Sequence, residues 1–127
     1  MQRYGEQRVL YGFTFGQDAV RENNVITFAT EGTVVFGEKY NNPDLLTGRT
    51  KALKHFFEQA DLSIEIPQNM LNRLWWKLMV NVGMNQVSAL YGARYRELQQ
   101  SGEVFDRMRQ LMLEVIELSK FTESRLS

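Results

Sequence analysis

Residues 72–90 read Asn-Arg-Leu-Trp-Trp-Lys-Leu-Met-Val-Asn-Val-Gly-Met-Asn-Gln-Val-Ser-Ala-Leu. The run predicts one long helix, extending over residues 69–91. At about 100° per residue, with Lys77 at zero, Asn81 falls near ~40°, Asn85 near ~80° and Ser88 near ~20°. These four polar side chains share one narrow stripe. Leu78, Trp75, Met79, Leu90, Trp76, Val87, Val80 and Met84 surround it, and Gln86 alone breaks the apolar side. A helix apolar nearly all round is a buried helix. A buried amide without a partner costs roughly 1–3 kcal/mol, and a charge costs more. The stripe must therefore meet water in a cleft, another polar segment or a ligand. Gly83 leaves room for a neighbour to approach closely.

Two readings of the stripe stand side by side. In one, Lys77 reaches solvent along its stem and the asparagines bond a neighbouring helix. In the other, the Lys77 ammonium hydrogen-bonds a substrate carbonyl and supplies a proton as that oxygen becomes alkoxide. Asn81 and Asn85 then bind hydroxyls or a carboxylate of the same molecule.

Outward from this helix the chain changes character at Pro67. On the N-terminal side, residues 8–15 alternate Val9, Tyr11, Phe13 and Phe15 on one face, a strand pattern. Asn23-Asn24 marks a turn. Residues 25–30 and 33–37 are β-rich, and Glu31-Gly32 between them predicts a two-residue hairpin. Asn41-Asn42-Pro43-Asp44 is a helix-entry signature, although Gly48 moves the expected start towards Thr47. Leu53, Phe56, Phe57 and Ala60 fall on one face of that helix. Residues 62–66 alternate as a short strand that Pro67 ends. On the C-terminal side Ser101 is the expected cap of a last helix. Its apolar stripe is Val104, Met108, Leu111, Met112, Val115 and Leu118.

Composition narrows the chemistry. The chain has 127 residues, 15 basic and 15 acidic side chains, one His and no Cys. Balanced charge gives no broad attraction to nucleic acid or anionic lipid. Without Cys there is no disulfide scaffold, thiolate zinc site or cysteine nucleophile. His55 alone cannot make a multi-histidine metal site, and its place between Lys54 and Phe56 reads as surface. The Trp75-Trp76 pair reads as packing, because a neutral chain lacks the basic groove of single-strand binders. The polar start and the polar interruptions of the apolar run give neither a secretory leader nor a membrane span, so a cytoplasmic protein is expected.

Trp76-Lys77-Leu78, then Asn81, Asn85 and Ser88-Ala89-Leu90 together resemble the interdomain-helix motif of ketopantoate reductases (2-dehydropantoate 2-reductases), roughly W-x-K-x-x-x-N-x-x-x-N-x-x-(S/T)-A-(L/I). Leu10-Tyr11-Gly12, Asp18-Ala19 and residues 25–38 resemble that family's last nucleotide-domain strands. Residues 61–67 followed by Asn69 resemble its lead into the long helix. Arg96-Glu97-Leu98 is similar to its Gly-Glu-Leu segment, with Arg where Gly is usual.

The resemblance implies an α+β chain. Residues 1–67 would be the end of a Rossmann-like nucleotide-binding domain, read as strand, hairpin, helix and strand. Residues 68–127 would be the long interdomain helix and the start of an all-α domain for substrate binding and dimerisation. It implies NADPH as cofactor and a small 2-oxo acid as substrate, reduced from 2-dehydropantoate to pantoate on the way to pantothenate and coenzyme A. It makes Lys77 catalytic, at the keto oxygen, and Asn81 and Asn85 substrate-binding; Ser88 matches a motif position without an assigned role. It also implies a homo-oligomer formed through helical surfaces. The glycines stand at 5, 12, 16, 32, 37, 48, 83, 92 and 102, so no G-x-G-x-x-G turn holds a pyrophosphate. Two complete domains need roughly twice this length. The chain is therefore expected to be an internal piece, inactive alone, of an enzyme. The alternatives are a non-catalytic helical interaction or dimerisation module, and a relative that reduces a different 2-oxo acid.

Overall fold

A computed structural model of the protein describes residues 5–123 and residue 126. The chain is α+β, with two small sheets and several helices, and divides into two compact units, Met1–Met70 and Leu71–Ser127.

The first unit carries β1 (Tyr11–Phe15), β2 (Asp18–Glu22), β3 (Val25–Thr30), β4 (Thr33–Gly37), α1 (Gly48–Gln59) and β5 (Ile64–Glu65). One sheet has the order β1-β4-β5, with β1 antiparallel to β4 and β5 parallel to it. The other is the antiparallel pair β2-β3. The hairpin expected at Glu31-Gly32 is not formed: β3 and β4 lie in different sheets. The reason is a strand that propensity conceals. Asp18–Glu22 holds three charged residues in five, a composition poor in β preference. Asn23 takes a φ of 55° and turns the chain so that Glu22 faces Val25. That gives β3 its partner and leaves β4 for β1, with Tyr11 opposite Gly37 and Phe15 opposite Thr33. Gly32 is instead the joint between the sheets. Its φ is 78°, and a Cβ there would sit 2.6 Å from the Phe15 carbonyl oxygen.

The core of this unit lies on β4, the middle strand, where Val35 and Phe36 are buried. Phe57 of α1 meets Phe36 edge to face, with ring centroids 5.2 Å apart. Phe56, expected on the same inward face, is instead exposed. The expected helix start near Thr47 agrees with the structure: Thr47 caps α1, its hydroxyl accepting from the Thr50 N–H. Pro43 and Asp44 lie ahead of the helix, in a turn closed by the Asp44 N–H on Asn42 Oδ1 at 3.0 Å. Arg49 donates from Nε to Glu38 Oε1 at 2.6 Å and from Nη2 to Glu38 Oε2, and Thr47 adds a bond of 2.8 Å to Oε1. This clamp ties the end of β4 to the first turn of α1. It holds the Glu38 carboxyl below the usual carboxylate range, chiefly through the Arg49 hydrogen bonds and against the opposing pull of burial. The strand expected over 62–66 is reduced to the two residues of β5.

The second unit begins with α2 (Met70–Val80), which runs into a π-helical stretch, Asn81–Gln86, and then into α3 (Val87–Tyr91). The predicted long helix is thus helical throughout, with a widened middle. Gly92 ends it in the left-handed conformation, φ 62°. A short 3₁₀ turn, Glu97–Gln99, precedes α4 (Glu103–Ser119). The residue at the cap of α4 is Gly102, not Ser101, and no side chain caps it. Its carbonyl accepts from Asp106. Val87, Leu98 and Val115 are buried core positions. Ser119, not Leu118, completes the inner face of α4, because its hydroxyl bonds back to the Ile116 carbonyl at 2.7 Å. Among the described residues, no helix is long and apolar enough to cross a membrane, and no group of three His, Asp or Glu side chains could hold a metal.

Candidate functional site

The π-helical stretch decides how the polar stripe is displayed. A π turn, closed by i→i+5 bonds, is rare and recurs mostly at functional sites. Within it lies a close approach to α4. Gly83 is buried, and a Cβ built on it would lie 2.4 Å from Met112 Cγ and 2.7 Å from Met112 Cε. The side chain of α4 is therefore seated on bare backbone. The room expected at Gly83 is taken by the half-buried Met112.

Lys77 sits in the last turn of α2 and is half-buried. No hydrogen bond or ion pair joins its ammonium to another described residue. Asn81 is half-buried and Asn85 is exposed. Asn85 Nδ2 donates to Asn81 Oδ1 at 3.1 Å, so the two amides form one unit. The structure joins the asparagines directly, and Lys77 stands one turn before Asn81. One turn before Lys77, Arg73 lies over the Trp76 ring at 4.5 Å. His55 is exposed on α1.

Sequence reasoning missed Tyr95. It lies in the connection after Gly92, between Arg94 and Arg96, where spacing carries no information about contacts. Its hydroxyl donates to Asn85 Oδ1 at 2.6 Å. Ser88 differs from the ordinary helical serine that bonds a carbonyl in the preceding turn. It donates forwards, across the Gly92 turn, to the Ala93 carbonyl at 2.5 Å. Glu97 accepts from the Arg94 N–H at 2.7 Å, and the neighbouring Leu98 is fully buried. Thus Ser88, Glu97 and Leu98 brace the short connection that carries Tyr95.

Chemically the stripe is a cation followed by a ladder of amides. Lys77 offers three N–H donors, and the Asn81 amide nitrogen is not used within the ladder. Such a set suits a ligand rich in acceptor oxygens.

Residues 69–124, which contain all of these groups, match the family described as ketopantoate reductase PanE/ApbA, C terminal. Residues 69–124 are thus a segment of the ketopantoate reductase family. It is 33% identical over 87 residues to the 2-dehydropantoate 2-reductase of Nostoc sp. (strain PCC 7120 / SAG 25.82 / UTEX 2576), an alignment covering 66% of this chain and 27% of that one. The 2-dehydropantoate 2-reductase of Geobacter metallireducens GS-15 superposes with a TM-score of 0.72 and 26% identity, over 91% of this chain and 38% of that one. A dimeric ketopantoate reductase from Staphylococcus aureus shares the fold, with a TM-score of 0.70 and 17% identity over 93% of this chain and 38% of its own. The chain therefore spans 27% to 38% of the length of these relatives.

Proposed function

We propose that this chain supplies the keto-acid-binding face of a ketopantoate reductase, an oxidoreductase that converts 2-dehydropantoate to pantoate on the route to pantothenate and coenzyme A. The observation that carries the reading is the Lys77 ammonium, without a partner among the described residues, one helical turn before a hydrogen-bonded pair of asparagines, inside the family-matched segment. Lys77 donates to the keto oxygen and gives it a proton as that oxygen gains charge on reduction. Asn81 and Asn85 hold the hydroxyl and carboxylate end of the same molecule. On this reading residues 1–67 end a Rossmann-like nucleotide-binding domain. Residues 68–127 open a helical domain for substrate binding and dimerisation, entered through the interdomain helix.

NADPH is the cofactor this reading implies for the whole protein, which would be cytoplasmic. None of the glycines stands in a G-x-G-x-x-G turn, and the first turn of α1 is occupied by its own cap and by the Glu38–Arg49 clamp. No residue of this chain is assigned to the cofactor, and its part in the reaction is confined to the keto acid. The test is an NADPH-oxidation assay of the whole protein against a panel of 2-oxo acids. Preference for 2-dehydropantoate supports the reading. Turnover of another 2-oxo acid in its place narrows it to a relative with altered substrate, and no turnover of any would refute it.

A further inference from the structure

β2 and β3 form a ribbon of two strands whose edges are built differently. Every residue of both strands is exposed, and a two-stranded ribbon is marginal in water by itself. Open strand edges are usually blunted by charge, proline or a bulge, because their free N–H and C=O groups template pairing with another strand. β2 has that protection: Asp18, Arg21 and Glu22 are charged, and the register shifts between Asp18 and Ala19. β3 has none. It reads Val-Ile-Thr-Phe-Ala-Thr, without a charge, a proline or a glycine.

The hairpin register shows which backbone groups of β3 are open. Glu22 and Val25 flank the two-residue turn and so form the hydrogen-bonded pair beside it, with Val20 and Thr27 as the next such pair. Ile26 and Phe28, at the alternate positions, turn their N–H and C=O groups to the outer edge. No hydrogen bond from another described residue meets them there. An antiparallel partner must match this spacing and set apolar side chains against Ile26 and Phe28. A second β3 does both. Turned about a two-fold axis at Thr27, Ile26 of one copy falls opposite Phe28 of the other, and each such pair exchanges two backbone bonds. On the opposite face Thr27 meets Thr27, and Val25 meets Ala29. These are favourable cross-strand pairs, and the neutral strand brings no like charges together.

We propose that the outer edge of β3 is an interface between two copies of this chain: the ribbons pair β3 to β3, antiparallel and centred on Thr27, into one four-stranded sheet. The occupant is a second copy because the strand complements itself in this register, which is what a two-fold contact requires. The contact is independent of the reading of Lys77, Asn81 and Asn85.

Cross-linking of the whole protein tests it. Thr27→Cys places two thiols opposite each other in a non-hydrogen-bonded pair, where side chains stand closest. With oxidised glutathione, most of the variant should become a disulfide-linked dimer on a non-reducing gel, with the 27–27 link confirmed by peptide mass. Val20→Cys, on the same face of β2 and also exposed, should stay largely unlinked. Equal linking of the two variants would mean chance collision and would overturn the proposal. Failure of Thr27→Cys to link overturns it as well, whether the edge stays open or another segment of the whole protein lies on it. Charge tests the register without a covalent bond. T27K and T27E each set like charges together at the two-fold axis, and each should weaken this contact roughly three- to tenfold in sedimentation. An equimolar mixture of T27K and T27E should restore it as a heterodimer, which misfolded chains could not do. Association through helical surfaces is blind to both changes, so unaltered sedimentation of T27K, or a mixture no tighter than its components, overturns the proposal.

Discussion

Gly83→Ala probes the seat on which the π-helical stretch rests. An added Cβ would lie 2.4 Å from Met112 Cγ, 2.7 Å from its Cε and 3.2 Å from its Sδ. Carbon atoms at rest stand about 3.5–4.0 Å apart. The nearest contact therefore falls short by roughly an ångström, and it involves the root of the methionine side chain as well as its flexible end. Overpacking of this kind costs about 1–3 kcal/mol. Alanine returns about 0.5–1 kcal/mol, because glycine inside a helix is entropically unfavourable. With Cγ itself in the way the larger costs apply, which leaves a net loss of about 1–2 kcal/mol. For a domain of this size that corresponds to a fall in Tm of roughly 3–10 °C. Thermal unfolding of this chain measures it. The same substitution in a Met112→Ala background should become neutral or stabilising, because the obstructing atoms are gone. A Gly83→Ala chain with a raised Tm would refute this account of the Gly83–Met112 contact.

Two further outcomes follow from the clamp and from the surface. The Glu38 carboxyl is held below its ordinary value of 4.5, so its contribution is complete above that value and is lost as pH falls through the lower folded value. Glu38→Gln should therefore lower Tm at neutral pH and flatten its decline below about pH 4.5, and an unchanged acid limb in a pH series of melts would contradict the clamp. Leu113, Leu118 and Phe121 are 45%, 55% and 89% exposed on and just beyond α4, apolar surface that association through helices would cover. Light scattering should detect self-association of this chain at rising concentration, and a monomer across the whole range would count against a homo-oligomer built on helical surfaces.

Much of this molecule is legible in the sequence where a pattern is periodic. The helical run through residues 72–90 and the α4 stripe follow from 3.6-residue spacing, and the start of α1 follows from Thr47 and Gly48. The Lys77–Asn81–Asn85 set is legible because polar groups on an otherwise apolar helix require an explanation. What escaped depends on partners distant in the chain. Asp18–Glu22 looks unlike a strand and becomes one because Asn23 folds it onto β3, which in turn cancels the hairpin at Glu31-Gly32. The close seat of α4 on the π-helical stretch rests on a single glycine whose neighbour, Met112, lies 29 positions away, as counted between 83 and 112. Tyr95 sits in a connection without periodicity, and no local pattern encodes its hydrogen bond to Asn85.

The most direct measurement of the central claim is the kcat of Lys77→Ala in the whole protein, with 2-dehydropantoate as substrate. If the Lys77 ammonium stabilises charge on the keto oxygen, its loss acts on the transition state more than on the ground state. Removal of one preorganised donor of that kind costs roughly 3–4 kcal/mol, a fall in kcat of about a hundred- to a thousandfold, with NADPH affinity nearly unchanged. If Lys77 serves packing alone, the variant will melt at a lower temperature while the folded fraction keeps near-normal kcat, and that result would contradict the assignment.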